Sequence, residues 1–145
     1  MGIEQLEPFI GKWRMEADLP GSDGVEATAV FEWILGGQFV LERSEVSVPE
    51  APDGHCVIAA NADADGFTQH YFDSRGVVRV YGMTFDGRKW QLLRVTPDFS
   101  PLDFSQRYQG ELSEDGARIE GRWESSNDRG ANWDLDFHLT YQRVD

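Results

Sequence analysis

Cysteine and histidine are scarce in this sequence, and acidic residues outnumber basic ones. The 145 residues include one cysteine, Cys56, and three histidines. A lone cysteine can form neither an internal disulfide nor a thiolate metal cluster. Thirteen Lys and Arg against 26 Asp and Glu give a formal net charge of −13, so the basic footprint that nucleic acids and anionic membranes require is missing. We therefore expect neither nucleic acid nor membrane as a partner.

Long apolar runs and leader-like segments are also missing. No stretch approaches the length of a membrane span, and the first residues lack a basic segment followed by an apolar one, so we expect no secretory signal. Together with the single thiol, this predicts a cytoplasmic protein. Hydrophobic residues make up 40% of the chain, which is enough to form the core of one domain over residues 1–145.

Turn-forming glycines divide the chain into short segments in which apolar and polar residues alternate. The clearest case is the central meander, predicted as Phe67–Asp73, Val77–Phe85 and Lys89–Thr96 with a tight turn at Asp86-Gly87. A short helix is predicted at Ile3–Ile10, limited in length by its proline. The other predicted strands are Gly11–Leu19, Val25–Leu35, Gln38–Val48, His55–Asp63, Asp103–Leu112, Arg118–Ser125 and Trp133–Arg143.

About ten strands joined by consecutive hairpins predict an all-β fold. An up-and-down antiparallel barrel is the simplest arrangement, because closing the sheet removes both of its edges. The short N-terminal helix is expected to close one end. Such a barrel is wider than one of eight strands, whose interior the side chains only just fill, so we expect an internal cavity.

The start of the first predicted strand resembles a known signature. Gly11-x-Trp13 after a short helix is similar to the opening of the calycins, which include lipocalins and fatty-acid-binding proteins. In lipocalins an arginine from late in the chain packs on that tryptophan, and Arg143 is the matching residue. The Gly36-Gly37-Gln38-Phe39 hairpin and the aromatic-x-Arg end resemble bacterial lipocalin-like barrels. The resemblance spans nearly the whole chain and implies a barrel that binds a small molecule.

A second resemblance concerns haem. Gly11-Lys12-Trp13-Arg14 is similar to the opening of the nitrobindins, ten-stranded barrels that hold haem through one histidine, but Met15 and Ala17 stand where that family has further glycines. The late histidine, His138, shares a face with Asp134, which predicts an outward position. No cofactor is therefore expected, and haem binding remains an alternative.

Arginines recur in phase with apolar side chains on several predicted strands. Burying a guanidinium is costly unless it is paired, so such arginines imply an internal carboxylate, ordered water or an anionic ligand. Fatty-acid-binding proteins hold a carboxylate with an Arg-x-Tyr pair, and Arg79-Val80-Tyr81 has that spacing in the central meander. Alternatively, the arginines reach solvent or pair with Glu45 and Asp73. The candidate ligand-binding residues are Arg43, His70, Arg79, Tyr81, Arg94, Gln106 and Tyr108.

These residues lead to one main functional hypothesis and three alternatives. The main one is a non-enzymatic binder of a small hydrophobic ligand, which Arg43, Arg79 and Arg94 would suit to a carboxylate. One alternative is an enzyme of the same barrel class that uses His70 or Glu45 as a base. The others are a haem-binding nitrobindin-like protein and a homodimeric interaction module.

Overall fold

Ten antiparallel strands form a closed barrel in the computed structural model, which describes residues 2–19, 24–49, 51–62 and 65–144. The strands are β1 (Gly11–Ala17), β2 (Ala27–Ile34), β3 (Phe39–Val46), β4 (Gly54–Ala60), β5 (Phe67–Asp73), β6 (Val78–Phe85), β7 (Lys89–Arg94), β8 (Ser105–Leu112), β9 (Arg118–Ser126) and β10 (Asp134–Arg143). Each strand pairs with its neighbours in sequence, and β1 pairs with β10 to close the sheet. The predicted up-and-down barrel is confirmed.

A helix of the 3-10 type, Ile3–Phe9, precedes β1 and contains Pro8. The predicted strands match the observed ones closely in the central meander and end within a few residues of them elsewhere. The predicted turns at residues 20–24 and 63–66 fall partly outside the described residues. Within the described ranges, no helix is long and apolar enough to cross a bilayer.

The helix closes one end of the barrel. Leu6 is 0% exposed and Phe9 is 2% exposed. The Phe9 ring lies 4.7 Å from the ring of Phe85 and 4.9 Å from that of Trp90, centroid to centroid. The indole N–H of Trp13 donates to the carbonyl oxygen of Phe9 at 2.8 Å, which fixes the helix over the mouth of the sheet.

Arg143 connects the end of β10 to this helix. Its guanidinium carbon lies 4.2 Å from the centroid of the Trp13 ring, a cation–π contact. Its N–H groups donate to the carbonyl oxygens of Pro8, Ile10 and Gly116. The tryptophan–arginine contact that the lipocalin resemblance implies is therefore present.

The opposite end of the barrel is less buried. Inward-facing residues there are only half-buried, among them Met15, Tyr71, Trp123 and Phe137. Their counterparts near the helix are almost fully buried. Solvent therefore reaches the inner wall from the end remote from the helix, which we call the open end.

Two glycines facing each other on β8 and β9 make room for Tyr108. Gly110 pairs with Gly121, and the tyrosine ring lies across both of them. A Cβ at Gly110 would lie 2.7 Å from Tyr108 Cε2, and one at Gly121 would overlap the Tyr108 hydroxyl and meet the Gln109 carbonyl oxygen at 2.8 Å. Residues with side chains are thus excluded from both positions.

Gly121→Ala is expected to lower the free energy of unfolding by about 2 kcal/mol, because overpacking a filled interior costs about 1–3 kcal/mol. Chemical denaturation measures the loss. Gly82→Ala is the matched control, since a Cβ there has only the Leu93 carbonyl oxygen nearby, at 3.9 Å. Equal losses in the two variants would contradict this account of the glycine pair.

Candidate ligand site in the barrel

Three of the predicted site residues meet on the inner wall near the open end. Arg79 and Tyr81 alternate inward on β6, and Gln106 lies on β8. The Oε1 atom of Gln106 accepts hydrogen bonds from Arg79 Nη1 and from the Tyr81 hydroxyl, each at 3.2 Å. Burial raises the pKa of Tyr81, so its phenol stays neutral and serves as a hydrogen-bond donor. The three side chains form one polar cluster.

Arg79 is the member of this cluster with unused binding capacity. No carboxylate within 4.0 Å pairs with it among the residues that the structure describes, and its Nε is buried without a hydrogen-bond partner. A neutral amide oxygen is a weak partner for a guanidinium, whose planar fork matches a carboxylate bidentately. The cluster can therefore accept an anion.

Apolar side chains lie on the inner wall toward the open end. Trp123 lies opposite Phe137 in the β9–β10 register, and its ring is 5.8 Å from that of Tyr81. Met15 faces the same interior from β1, where it pairs with Tyr141. Trp123, Phe137 and Met15 are each half-buried, so an apolar group entering from the open end would find an apolar wall.

Arg94 also lies on the inner face, but its guanidinium is bound to the protein. It pairs with Asp98 through Nε–Oδ2 at 2.9 Å and Nη2–Oδ1 at 3.0 Å, and Nη2 also donates to the carbonyl oxygens of Ser100 and Pro101. Arg94 is 3% exposed. This arginine organises the β7–β8 loop, and the partner is Asp98 rather than the carboxylates considered from the sequence.

Tyr108, another of the predicted ligand-binding residues, is almost fully buried. It is 1% exposed, its ring lies 5.0 Å from that of Trp90, and its hydroxyl donates to the Leu139 carbonyl oxygen at 3.0 Å. Burial raises its pKa far above the usual range. Tyr108 therefore belongs to the hydrophobic core of the barrel.

Two sequence predictions place residues on the wrong face. Arg43 pairs in register with Val30 and His55, and its Nη2 is 3.1 Å from Glu32 Oε2, with 40% of its side chain exposed. It lies on the outer face because the β2–β3 hairpin sets Val40, not Phe39, opposite Trp33. His70 alternates with the buried Gln69 and is likewise outward.

Glu42 is an inward-facing carboxyl that the sequence does not distinguish from its neighbours. It is 7% exposed and lies between Phe31 and Cys56 in the sheet. Burial raises the pKa of Glu42 to about 7, although a hydrogen bond with the Cys56 thiol opposes the shift. Glu42 faces no cation among the described residues. The carboxyl is therefore poised to exchange a proton near neutral pH.

Gln69 is the second inward residue that sequence reasoning misses. It is 3% exposed and lies between Ile58 and Tyr81. Its Oε1 is buried and accepts no hydrogen bond from any described residue. Its alternation with Phe67 and Tyr71 is the sequence signal that could have identified it.

Cys56 and His138 are not part of the polar cluster. Cys56 is 7% exposed and inward, as expected of a small core residue, and burial raises the pKa of its thiol. His138 lies at the surface, where its Nδ1 is 2.7 Å from Asp18 Oδ2. This outward position matches the prediction from its phase.

A cleft of about 1100 Å³ lies outside the barrel, near the closed end. Its lining includes the carboxylates of Asp65, Asp86, Glu111 and Glu120. Arg122 there donates to Gln109 Oε1 at 2.6 Å. The excess of carboxylates makes this cleft a poor match for an anionic ligand.

Comparison of the sequence with protein-family models and with curated protein sequences gives no match.

Proposed function

We propose that the barrel binds a small, largely apolar carboxylic acid through its open end, with Arg79 as the anion-binding residue. One observation carries this proposal. The Arg79 guanidinium faces the interior with neutral groups, the Gln106 amide and the Tyr81 phenol, as its partners and has a buried Nε that donates to no described residue. A carboxylate would satisfy both the charge and the unused donor.

The surroundings favour an apolar body on that acid. Trp123 and Phe137 are partly accessible from the open end, and burying apolar surface against them contributes roughly 25 cal/mol per Å². The net charge of −13 disfavours highly charged anions, since they would be repelled before reaching the site. A monocarboxylate with an alkyl or aromatic body fits both conditions.

Arg79→Met is expected to weaken binding of a fluorescent fatty acid by roughly 10- to 100-fold, because a hydrogen bond to a charged group contributes about 1.5–3 kcal/mol. Titration followed by fluorescence measures the affinity. Native mass spectrometry of gently purified protein tests the same idea without a chosen probe. We expect a bound acid in the wild type that is missing from the variant.

Two controls distinguish an effect of the lost Arg79 charge from a general disruption of the structure. Arg43→Met removes an arginine that lies on the outer face, so the affinity should stay within about twofold of the wild-type value. The methyl ester of the fatty acid should bind wild type and Arg79→Met equally. If the wild type binds neither the acid nor the ester, the proposal is wrong.

We also propose that the chain is a lipocalin-like member of the calycins. The closed antiparallel barrel, the helix over one end and the stacking of Arg143 on Trp13 support this relationship. All three are features of fold and not of chemistry, so they agree with ligand binding without identifying the ligand.

An enzyme acting on the same acid is the second candidate, and Glu42 is the observation that favours it. A general base works best when its pKa is close to the working pH, and the pKa of Glu42 is about 7. Glu45, by contrast, is exposed. Incubating the co-purified ligand with excess protein and following its mass distinguishes the two: a binder returns it unchanged, whereas an enzyme converts it unless Glu42 is replaced by Gln.

A further inference from the structure

Besides Trp90 Nε1, the inner wall holds two buried polar atoms that lack a hydrogen-bond partner among the described residues, and these two lie on neighbouring strands. They are the acceptor Gln69 Oε1 on β5 and the donor Arg79 Nε on β6, each buried and without a hydrogen-bond partner among the described residues. In the β5–β6 register Gln69 is opposite Tyr81 and Arg79 is opposite Tyr71. The two residues are therefore diagonal neighbours, a relation that places side chains about 7–8 Å apart at their bases.

No described residue donates to Gln69 Oε1, and the unpaired donors Arg79 Nε and Trp90 Nε1 make no hydrogen bond to it. Its cross-strand neighbour Ile58 is apolar. Its other neighbour, Tyr81, already donates its hydroxyl proton to Gln106 at 3.2 Å. Leaving a buried acceptor without a hydrogen bond is costly, so a molecule inside the barrel that donates to Gln69 Oε1 would be favoured.

We propose that Gln69 makes the site selective for acids that carry a hydrogen-bond donor near the carboxylate, specifically 2- or 3-hydroxy acids. This rests on the proposed function, because the carboxylate is taken to bind Arg79. Because Gln69 and Arg79 are diagonal neighbours in the sheet, we place the donor on one of the first two carbon atoms after the carboxylate. The hydroxyl donates to Gln69 Oε1, and the apolar remainder of the acid packs toward Trp123 and Phe137.

The discriminating experiment compares decanoic acid with each enantiomer of 3-hydroxydecanoic acid, measured by displacement of a fluorescent fatty acid. The acids share their length and charge and differ in one hydroxyl. We expect one enantiomer to bind the wild-type protein roughly five- to tenfold more tightly than decanoic acid, the gain typical of one hydrogen bond to a neutral partner. In Gln69→Met, a replacement of similar volume without the acceptor, that advantage should disappear while decanoic acid binds as before.

The outcomes separate this inference from the proposed function. Equal binding of all three acids to the wild type overturns the selectivity and leaves acid binding in place. A preference for the hydroxy acid that persists in Gln69→Met also overturns the role of Gln69. If none of the acids displaces the probe, both proposals fall. The wild-type comparison needs no variant, so it holds even if Gln69→Met does not fold.

Discussion

Arg94→Met is expected to lower the free energy of unfolding by about 4 kcal/mol, in the range of about 3–5 kcal/mol found when one partner of a buried ion pair is removed. The two side chains are 3% and 8% exposed for Arg94 and Asp98. Among the described residues, methionine leaves the Asp98 carboxylate without a cation, and the backbone N–H groups of Val80 and Ser100 remain as its donors. Urea denaturation followed by tryptophan fluorescence measures the loss.

Arg43→Met is the matched control for this prediction. It makes the same substitution in a pair whose side chains are 40% and 42% exposed, Arg43 with Glu32. Exposed pairs contribute about 0–1 kcal/mol, so the control should lose less than about 1 kcal/mol. Similar losses in the two variants would show that the Arg94 pair does not organise the β7–β8 loop.

The Arg94 pair also has a pH signature. The hydrogen bonds from Arg94 hold the pKa of the Asp98 carboxyl far below its usual range. A carboxyl whose folded pKa is depressed contributes stability that is present above its unfolded pKa and is lost as the pH falls through the folded value. Protonation of Asp98 therefore breaks this ion pair only in strongly acidic solution. Near neutral pH the contribution of the pair to the free energy of unfolding does not change with pH.

In the wild type, the free energy of unfolding is expected to decrease as the pH rises. Glu42→Gln is expected to abolish the part of that decrease that comes from the Glu42 carboxyl. The folded pKa of Glu42, about 7, lies above its ordinary value of 4.5. Between these values the folded protein holds a proton that the unfolded chain has released, so stability falls with increasing pH. From about pH 5 to about pH 8, the wild type should lose roughly 2–3 kcal/mol more than the variant, at about 1.4 kcal/mol per pKa unit.

The measurement is a pair of denaturation series over that pH interval, and the difference between the two curves cancels the titration of groups outside this carboxyl. The groups that interact with Glu42 are Cys56, Tyr108 and Tyr141. Burial raises the pKa of each of the three, so all stay neutral over the interval. Parallel curves for wild type and variant would contradict the raised pKa.

For β3, the alternation of apolar and polar residues does not decide which side chains point into the barrel. Phe39, Val40 and Leu41 are all apolar, so period-two spacing fits either orientation of the strand. Grouping Arg43 with Phe39 and Leu41 places its side chain inside, which is wrong. The hairpin decides: Ile34 pairs with Phe39, so the inward Trp33 requires Val40 to be inward as well. Reading the turn together with the preceding strand would have placed Glu42 inside from the sequence.

Other features of the site depend on contacts that a single sequence does not encode locally. Arg79, Tyr81 and Gln106 share the inner face as predicted, but their hydrogen bonds join strands 25 and 27 residues apart along the chain. Asp98 lies between the predicted strands Lys89–Thr96 and Asp103–Leu112, and its hydrogen bonds with Arg94 depend on the path of the connecting loop. The raised pKa of Glu42 depends on its burial, and Phe31 beside it on β2 shares that interior.

The pairing of β1 with β10 has a consequence for synthesis on the ribosome. Every other pair of neighbouring strands in the barrel is adjacent in sequence, whereas β1 pairs with β10 only after the chain has been made as far as Arg143. Until the last strand emerges from the exit tunnel, β1 keeps an open hydrogen-bonding edge that invites pairing with other nascent chains. Slow translation of any segment between β1 and β10 prolongs this exposure and should therefore increase aggregation and dependence on chaperones.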